Sequence, residues 1–116
     1  MNKEAKTKWI EALRSGQYVK GEQQLCYIDS ETKLTKHCCL GVLCDITPDV
    51  TKQQVNTKDF GYSYRDSAIS GPQVSYLPIN LRDELEITED EEEDLVTLND
   101  SKDNWNEVIK YIEENM

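Results

Sequence analysis

The apolar residues of the chain follow the periodicity of a helix at both ends. Near the N-terminus they recur on one helical face, at Ala5, Trp9, Ala12 and Leu13. Asn2 is a suitable N-cap for this helix, and Ser15-Gly16 is a suitable end because glycine accepts the left-handed conformation. A second stripe of the same kind predicts the last helix, through Trp105, Val108, Ile109 and Ile112.

The segment after the first helix has strand-like alternation. Residues 17–21 form a predicted loop. Residues 23–28 and 33–38 flank the turn-prone stretch Asp29–Thr32, which predicts a β-hairpin.

Residues 38–46 predict a helix that is apolar nearly all round. Cys39, Val42, Leu43 and Ile46 share one face, while Leu40 and Cys44 lie on others, so the helix is expected to be buried. Gly41 inside a helix costs about 1 kcal/mol relative to alanine. We therefore expect Gly41 to permit the close approach of a backbone or a ligand, with helix packing as the simpler cause. Thr47-Pro48 ends this helix.

Residues 56–76 are the most loop-like part of the chain. Within it, Tyr62–Arg65 and Gln73–Tyr76 predict a second short hairpin with a long connection. Pro78 then opens a short predicted helix that runs to Leu85, since proline suits the first helical position.

The acidic C-terminal third predicts two further helices. Thr88 and Glu91 form a capping box, which predicts a helix over residues 89–98. Asn99–Ser101 is predicted to break this helix and to cap the last one. Together the elements predict a small α+β fold, a single domain over residues 1–116 with terminal helices packed on short antiparallel β-hairpins.

Charge is distributed unevenly along the chain. The net charge is −10, from 13 basic and 23 acidic residues. Residues 1–40 carry seven basic and five acidic residues, whereas residues 81–116 carry three and fourteen. So acidic a protein is repelled by polymeric nucleic acid, but a small anion can still bind the N-terminal third. The run Glu89–Asp94 is read either as a solvated helix start or as a surface that mimics DNA.

The cysteines and the apolar stretches indicate the cellular compartment in which we expect the protein. Four cysteines occur without a C-x-x-C pair, so we expect small buried thiols rather than a zinc site, although His37 precedes Cys38-Cys39. The longest apolar stretch, Cys38–Cys44, is too short to span a membrane. Met1–Glu4 does not resemble the start of a signal peptide. We expect a soluble cytoplasmic protein with reduced thiols.

Four motifs occur in the order found in a very common family of small bacteriophage proteins. They are carried by Trp9–Tyr18, Cys38–Asp45, Tyr76–Pro78 and Leu98–Ser101. The family pattern runs W-x-x-A-L-R-S-G-x-Y, then C-C-L-G-V-L-C-D, then L-P, then L-N-D before an acidic helix. The resemblance covers nearly the whole chain. It departs at Trp105, where the family has Phe, and at Lys102, where it commonly has Gly.

This family is similar to phage anti-CBASS sponges, which bind the cyclic dinucleotides that activate bacterial immunity and hold them intact. The resemblance implies 3′,3′-cyclic GMP-AMP as the ligand. It also implies a homo-oligomer such as a tetramer. We expect the protein to act in the host cytoplasm and to need no cofactor.

Residues suited to such a ligand occur in three places. Phosphates bind cations and hydroxyls, base faces bind aromatic rings, and base edges bind amides or carboxylates. The candidates are Arg14, Ser15, Tyr18, Lys20, Tyr62, Arg65, Asn99 and Asp100. Each also has a structural interpretation: Arg14 as a helix-end cation, Tyr18 as a packing residue, and Asn99 and Asp100 as helix caps.

Two other classes of function stay open from the sequence. One is an acidic inhibitor that binds a host defence protein through residues 81–116. The other is an enzyme that degrades the signal, against which the single histidine and the lack of a metal-binding motif argue. The sequence therefore predicts a binding protein rather than an enzyme.

Overall fold

The computed structural model describes residues 1–55, 61–66 and 71–116. Its helices and strands follow in chain order: α1 (Lys3–Arg14), β1 (Val19–Lys20), β2 (Cys26–Ile28), β3 (Thr35–His37), α2 (Cys39–Asp45), β4 (Thr51–Val55), β5 (Gly61–Arg65), α3 (Ile79–Glu84), α4 (Glu89–Ser101) and α5 (Asn106–Asn115). The strands form one sheet in the order β1-β3-β2-β5-β4. The chain folds as a small single α+β domain, as predicted.

The predicted first hairpin is confirmed as the antiparallel pair β2–β3. Asp29 organises its turn by accepting hydrogen bonds from the backbone N–H groups of Glu31 and Thr32. Its carboxylate also lies 2.7 Å from Lys36 Nζ. The predicted loop before the hairpin contains β1, which pairs with β3 in parallel, so the sheet is mixed rather than purely antiparallel.

The predicted second hairpin is confirmed only at one antiparallel bridge, between Tyr64 and Gln73. β5 pairs with β4 along five residues, and also with β2 at Tyr27. Gln73 contributes only an isolated bridge to Tyr64. β4 escaped prediction because Thr51–Val55 is a polar edge strand whose residues are nearly all exposed. Residues 67–70, which form most of the predicted connection, and residues 56–60 of the loop-like stretch lie outside the described residues.

Helix α2 lies at the centre of the core. Its residues from Cys39 to Cys44 are buried, and Trp9 Nε1 donates to its Cys39 carbonyl at 2.9 Å. A Cβ at Gly41 would overlap the Leu25 carbonyl oxygen, which confirms the predicted close approach of a backbone. All four cysteines are buried free thiols, as expected.

The acidic helix α4 begins as predicted and ends later. Thr88 and Glu91 form the predicted capping box. The predicted break at Asn99–Ser101 is wrong because α4 continues through Ser101. The last helix starts at Asn106, after the N-cap Trp105, whose side chain makes no capping hydrogen bond.

The acidic run 89–94 is not uniformly solvated. Glu92 is only 4% exposed, and its carboxylate accepts from Leu77 N at 3.0 Å and lies 3.5 Å from Arg82 Nη1. Glu89–Glu92 occupy the first turn of α4, where the helix dipole favours negative charge. Part of the run therefore has a structural role.

Candidate functional site

A cleft of about 350 Å³ lies between the end of α1 and the start of α5. Three of the residues proposed from the sequence meet there, namely Arg14, Tyr18 and Lys20. The other lining residues are Leu13, Asn104, Trp105, Asn106 and Ile109. Among the described residues no carboxylate lines this cleft, although the chain carries a net charge of −10. We call it the cationic cleft.

Arg14 is held at the edge of the cationic cleft by an exposed ion pair. Its Nη2 lies 3.0 Å from Glu113 Oε1, and the two side chains are 58% and 49% exposed. Such solvated pairs contribute about 0–1 kcal/mol. A phosphate therefore competes with Glu113 at little cost, and the remaining guanidinium N–H groups stay accessible.

Lys20 supplies the second positive charge from β1. Its side chain is only 13% exposed, and its Nζ lies 3.9 Å from Glu22 Oε1. The parallel pairing of β1 with β3 places Lys20 opposite His37 and fixes its backbone. A lysine with so little solvent around it loses little further rotamer freedom when it binds an anion.

Tyr18 links the cationic cleft to Asp45, which lies behind it. Its hydroxyl donates to Asp45 Oδ2 at 2.8 Å. Burial, and to a smaller extent this hydrogen bond, raises the pKa of Tyr18 to about 12, so the phenol stays neutral. Because the hydroxyl is engaged with Asp45, the group left for a ligand is the aromatic ring.

His37 packs behind Tyr18, with the two rings edge to face and their centroids 4.9 Å apart. The imidazole is 6% exposed, and both its ring nitrogens lack a hydrogen-bond partner among the described residues. Burial lowers the pKa of His37 to about 4. His37 is therefore neutral at physiological pH and acts as an apolar support for Tyr18.

Two asparagines at the start of α5 line the cationic cleft and were missed from the sequence. Asn104 Oδ1 accepts from Asn106 N at 2.9 Å, which leaves the Asn104 amide nitrogen as a donor. Both side chains are exposed. The signal available was an Asn-Trp-Asn sequence just before an apolar stripe, which marks a polar helix start. The amides add donors and acceptors suited to a base edge.

Ser15 lies next to the cationic cleft without lining it. Its hydroxyl donates to the Ala12 carbonyl at 2.7 Å and accepts from Gln17 N. These bonds end α1, and Gly16 follows with a φ of 76°. The structure gives Ser15 a capping role, not a ligand contact.

Tyr62 and Arg65 lie on β5, three strand positions from β1, or about 14 Å across the sheet. Lys52 Nζ lies 4.5 Å from the Tyr62 ring centroid, a cation–π contact. Arg65 lines a different cleft, together with Asp49 and Asp66. The structure therefore does not bring these two residues to the cationic cleft.

Asn99 is buried completely, and its amide makes all four of its possible hydrogen bonds. Its Oδ1 accepts from Cys39 N and Trp105 Nε1, at 3.0 and 2.8 Å. Its Nδ2 donates to the Gly21 carbonyl and to Asp100 Oδ1. The amide has no edge left for a base, so the prediction of a ligand contact is corrected to a structural role.

Asp100 is likewise tied to the protein. Its Oδ1 also accepts from Gln23 N at 3.2 Å. The cavity beside Asp100 measures about 10 Å³, which is too small for a nucleotide. Asn99 and Asp100 together fix the loop before β2 and the Trp105 floor of the cationic cleft.

The chain belongs to DUF8296, a domain family of unknown function. The family model matches residues 1–116. No curated protein and no solved structure matches the chain. Of the helices in the described residues, none is both long and apolar enough to cross a membrane.

Proposed function

We propose that this protein binds cyclic dinucleotide immune signals, 3′,3′-cyclic GMP-AMP first among them, and sequesters them in the cationic cleft without degrading them. The resemblance to phage proteins suggests the ligand class and an action in the host cytoplasm. The observation that carries the proposal is that Arg14 and Lys20 line the same cleft, which no described carboxylate lines.

The cleft offers a suitable group for each part of a nucleotide. Arg14 and Lys20 suit a phosphate, the Tyr18 ring suits a base face, and Asn104 and Asn106 suit a base edge. The neutral, hydrogen-bonded phenol of Tyr18 and the buried, neutral imidazole of His37 are poor candidates for acid–base catalysis. This favours retention over turnover.

The size of the cationic cleft favours an oligomer. A volume of about 350 Å³ is at the lower end of the roughly 300–1,000 Å³ of small-molecule sites, and a cyclic dinucleotide is a large ligand for it. Because such a ligand has two similar halves, two clefts related by a two-fold axis would each hold one half. We therefore propose a homo-oligomer, such as a tetramer, with ligand at a subunit junction.

Recovery of bound ligand tests the proposal directly. The protein is incubated with a panel of cyclic di- and trinucleotides, washed and heated, and the released compounds are identified by mass spectrometry. We expect an intact cyclic dinucleotide from the parent protein and much less of it from Arg14→Ala. Linear products would show an enzyme, and no retained nucleotide would refute the proposal.

The acidic inhibitor remains a second candidate, favoured by the fourteen acidic residues of positions 81–116. It is tested with Asp90→Asn and Glu93→Gln, because both side chains are exposed. Glu91 and Glu92 are unsuitable, since one closes the capping box and the other is buried. Loss of host-protein inhibition in this double variant, with nucleotide binding absent in the parent, would favour the acidic inhibitor.

A further inference from the structure

A second cavity, of about 300 Å³, lies at the opposite end of α1. It is bordered by the first turns of α1, by the turn that follows α2, and by α3. Its floor is apolar, formed by Leu43, Ile46, Val50, Leu81 and Leu85. We call it the acidic groove because four carboxylates and one ammonium group stand around this floor.

Two of the four carboxylates have partners. Glu4 Oε1 lies 3.1 Å from Lys8 Nζ, so this pair is close to neutral. Asp66 Oδ2 accepts from Leu81 N at 2.8 Å, which caps the start of α3. Asp49 and Glu84 are exposed and form no ion pair with any residue that the structure describes. These two give the groove its open negative charge.

We propose that the acidic groove docks a basic amphipathic helix of a partner protein. Apolar side chains of such a helix would cover the floor, and its lysines or arginines would lie beside Asp49 and Glu84. This is the helix-in-groove mode of recognition, with affinity from apolar burial and specificity from charge. The net charge of −10 steers a basic partner toward this protein and keeps acidic ones away.

This docking surface is independent of nucleotide binding. The lining residues of the acidic groove and of the cationic cleft do not overlap. Along α1 the groove ends at Lys8 and the cleft begins at Leu13, about 8 Å apart along the helix axis. Failure of one proposal therefore leaves the other standing.

Three labelled peptides test the docking surface by fluorescence anisotropy. The first has leucine and lysine at helical spacing, the second replaces each lysine by glutamate, and the third replaces each leucine by serine. We expect the parent protein to bind only the first, because the other two lack either the positive charge or the apolar face. Equal binding of the first and third peptides would refute the role of the apolar floor.

Charge reversal locates the site. Asp49→Lys with Glu84→Lys changes the groove, while Glu31→Lys with Glu114→Lys makes the same charge change at exposed acids elsewhere. We expect the groove pair to weaken peptide binding about tenfold or more and the control pair to weaken it about twofold or less. Thermal unfolding confirms that both variants are folded.

Other outcomes overturn the proposal. Equal losses in the two pairs would mean general attraction to an acidic chain. Binding of the first peptide that coincides with dissociation of a dimer would mean that a second copy of this chain occupies the groove. Nucleotide retention, measured in the variant with Asp49→Lys and Glu84→Lys, should not change.

Discussion

The two ends of α1 border cavities of opposite charge. The C-terminal end contributes Arg14 to the cationic cleft, and the N-terminal end contributes Glu4 to the acidic groove. Both residues are ordinary complements to the helix dipole. The distinguishing charges come from other elements, Lys20 of β1 on one side and Asp49 and Glu84 on the other. The charge of each cavity is therefore set by the segments that pack beside the helix end, not by the helix itself.

The two cavities also differ in what stands behind them. The cationic cleft is backed by directed polar contacts, through the Tyr18–Asp45 and Trp105–Asn99 hydrogen bonds. The acidic groove is floored by aliphatic side chains, which accept many shapes. A cavity with fixed polar support suits a ligand of defined geometry, whereas an apolar floor suits an adaptable peptide.

Removal of Asn99 should have the largest effect. Asn99→Ala leaves Cys39 N, Trp105 Nε1 and the Gly21 carbonyl without their side-chain partner in the core. We expect the free energy of unfolding to fall by about 3–5 kcal/mol in denaturant titrations. Asn104→Ala, which removes an exposed asparagine of the cationic cleft, should cost about 1 kcal/mol or less. Equal losses would contradict a special role for Asn99.

Acidification should weaken the fold through His37, which stands behind the cationic cleft. Its pKa is about 4 when folded and 6.5 in the reference state, so between these values the unfolded chain binds a proton that the folded chain excludes. This contribution is fully present above pH 6.5, is lost as pH falls toward 4, and amounts to about 3 kcal/mol.

The control for this prediction is His37→Leu. The described residues give the imidazole nitrogens no hydrogen-bond partner, so an apolar side chain forfeits little. Urea titrations from pH 4 to 7 should then show a shallower rise of stability with pH. If the stability of the parent and of His37→Leu rises equally with pH, another group causes the pH dependence.

Arg14→Ala and Lys8→Ala are matched variants that separate the two cavities. Both residues are exposed cations of α1, each paired with a glutamate. Arg14→Ala should weaken cyclic dinucleotide binding by about ten- to a hundredfold, the value of one to two charge-assisted contacts. Lys8→Ala should leave nucleotide binding unchanged and strengthen binding of the leucine–lysine peptide. Calorimetric titration of both ligands checks this. If the two variants changed the affinity for one ligand equally, the two cavities would not be separate sites.

The sequence predicted most of the fold because its strong signals are local. The stripe through Trp9, the all-round apolar run of α2 and the Thr88 capping box each act within one element, and each is confirmed. β4 was not predicted because its residues are nearly all exposed, and such an edge strand needs no alternation of apolar and polar residues. The end of α4 was predicted wrongly because Asn99 makes hydrogen bonds to two distant residues, Cys39 and Gly21, and to Trp105, and these override its local preference for a cap.

The candidate site was predicted in part for the same reason. Arg14, Tyr18 and Lys20 lie within seven residues, so a single loop brings them together. Asn104 and Asn106 reach the same cleft only because α5 packs against α1, which no local pattern reveals. The acidic groove also combines distant segments, and it was not foreseen.

The smallest expected effect is a gain in affinity. Glu113 is the carboxylate that competes with a ligand phosphate for Arg14, at 3.0 Å in an exposed pair. Glu113→Gln releases the guanidinium and removes a negative charge beside the cationic cleft, so cyclic dinucleotides should bind about two- to fivefold more tightly, in line with the worth of a solvated ion pair. Glu114→Gln makes the same charge change on the next residue, which has no ion pair with a described residue, and should shift affinity less. Titrations at two salt concentrations decide the cause, because salt screens a general charge effect more strongly than the 3.0 Å contact between Glu113 and Arg14. Equal gains in the two variants would show that the net charge of α5, and not the release of Arg14, controls access to the cleft.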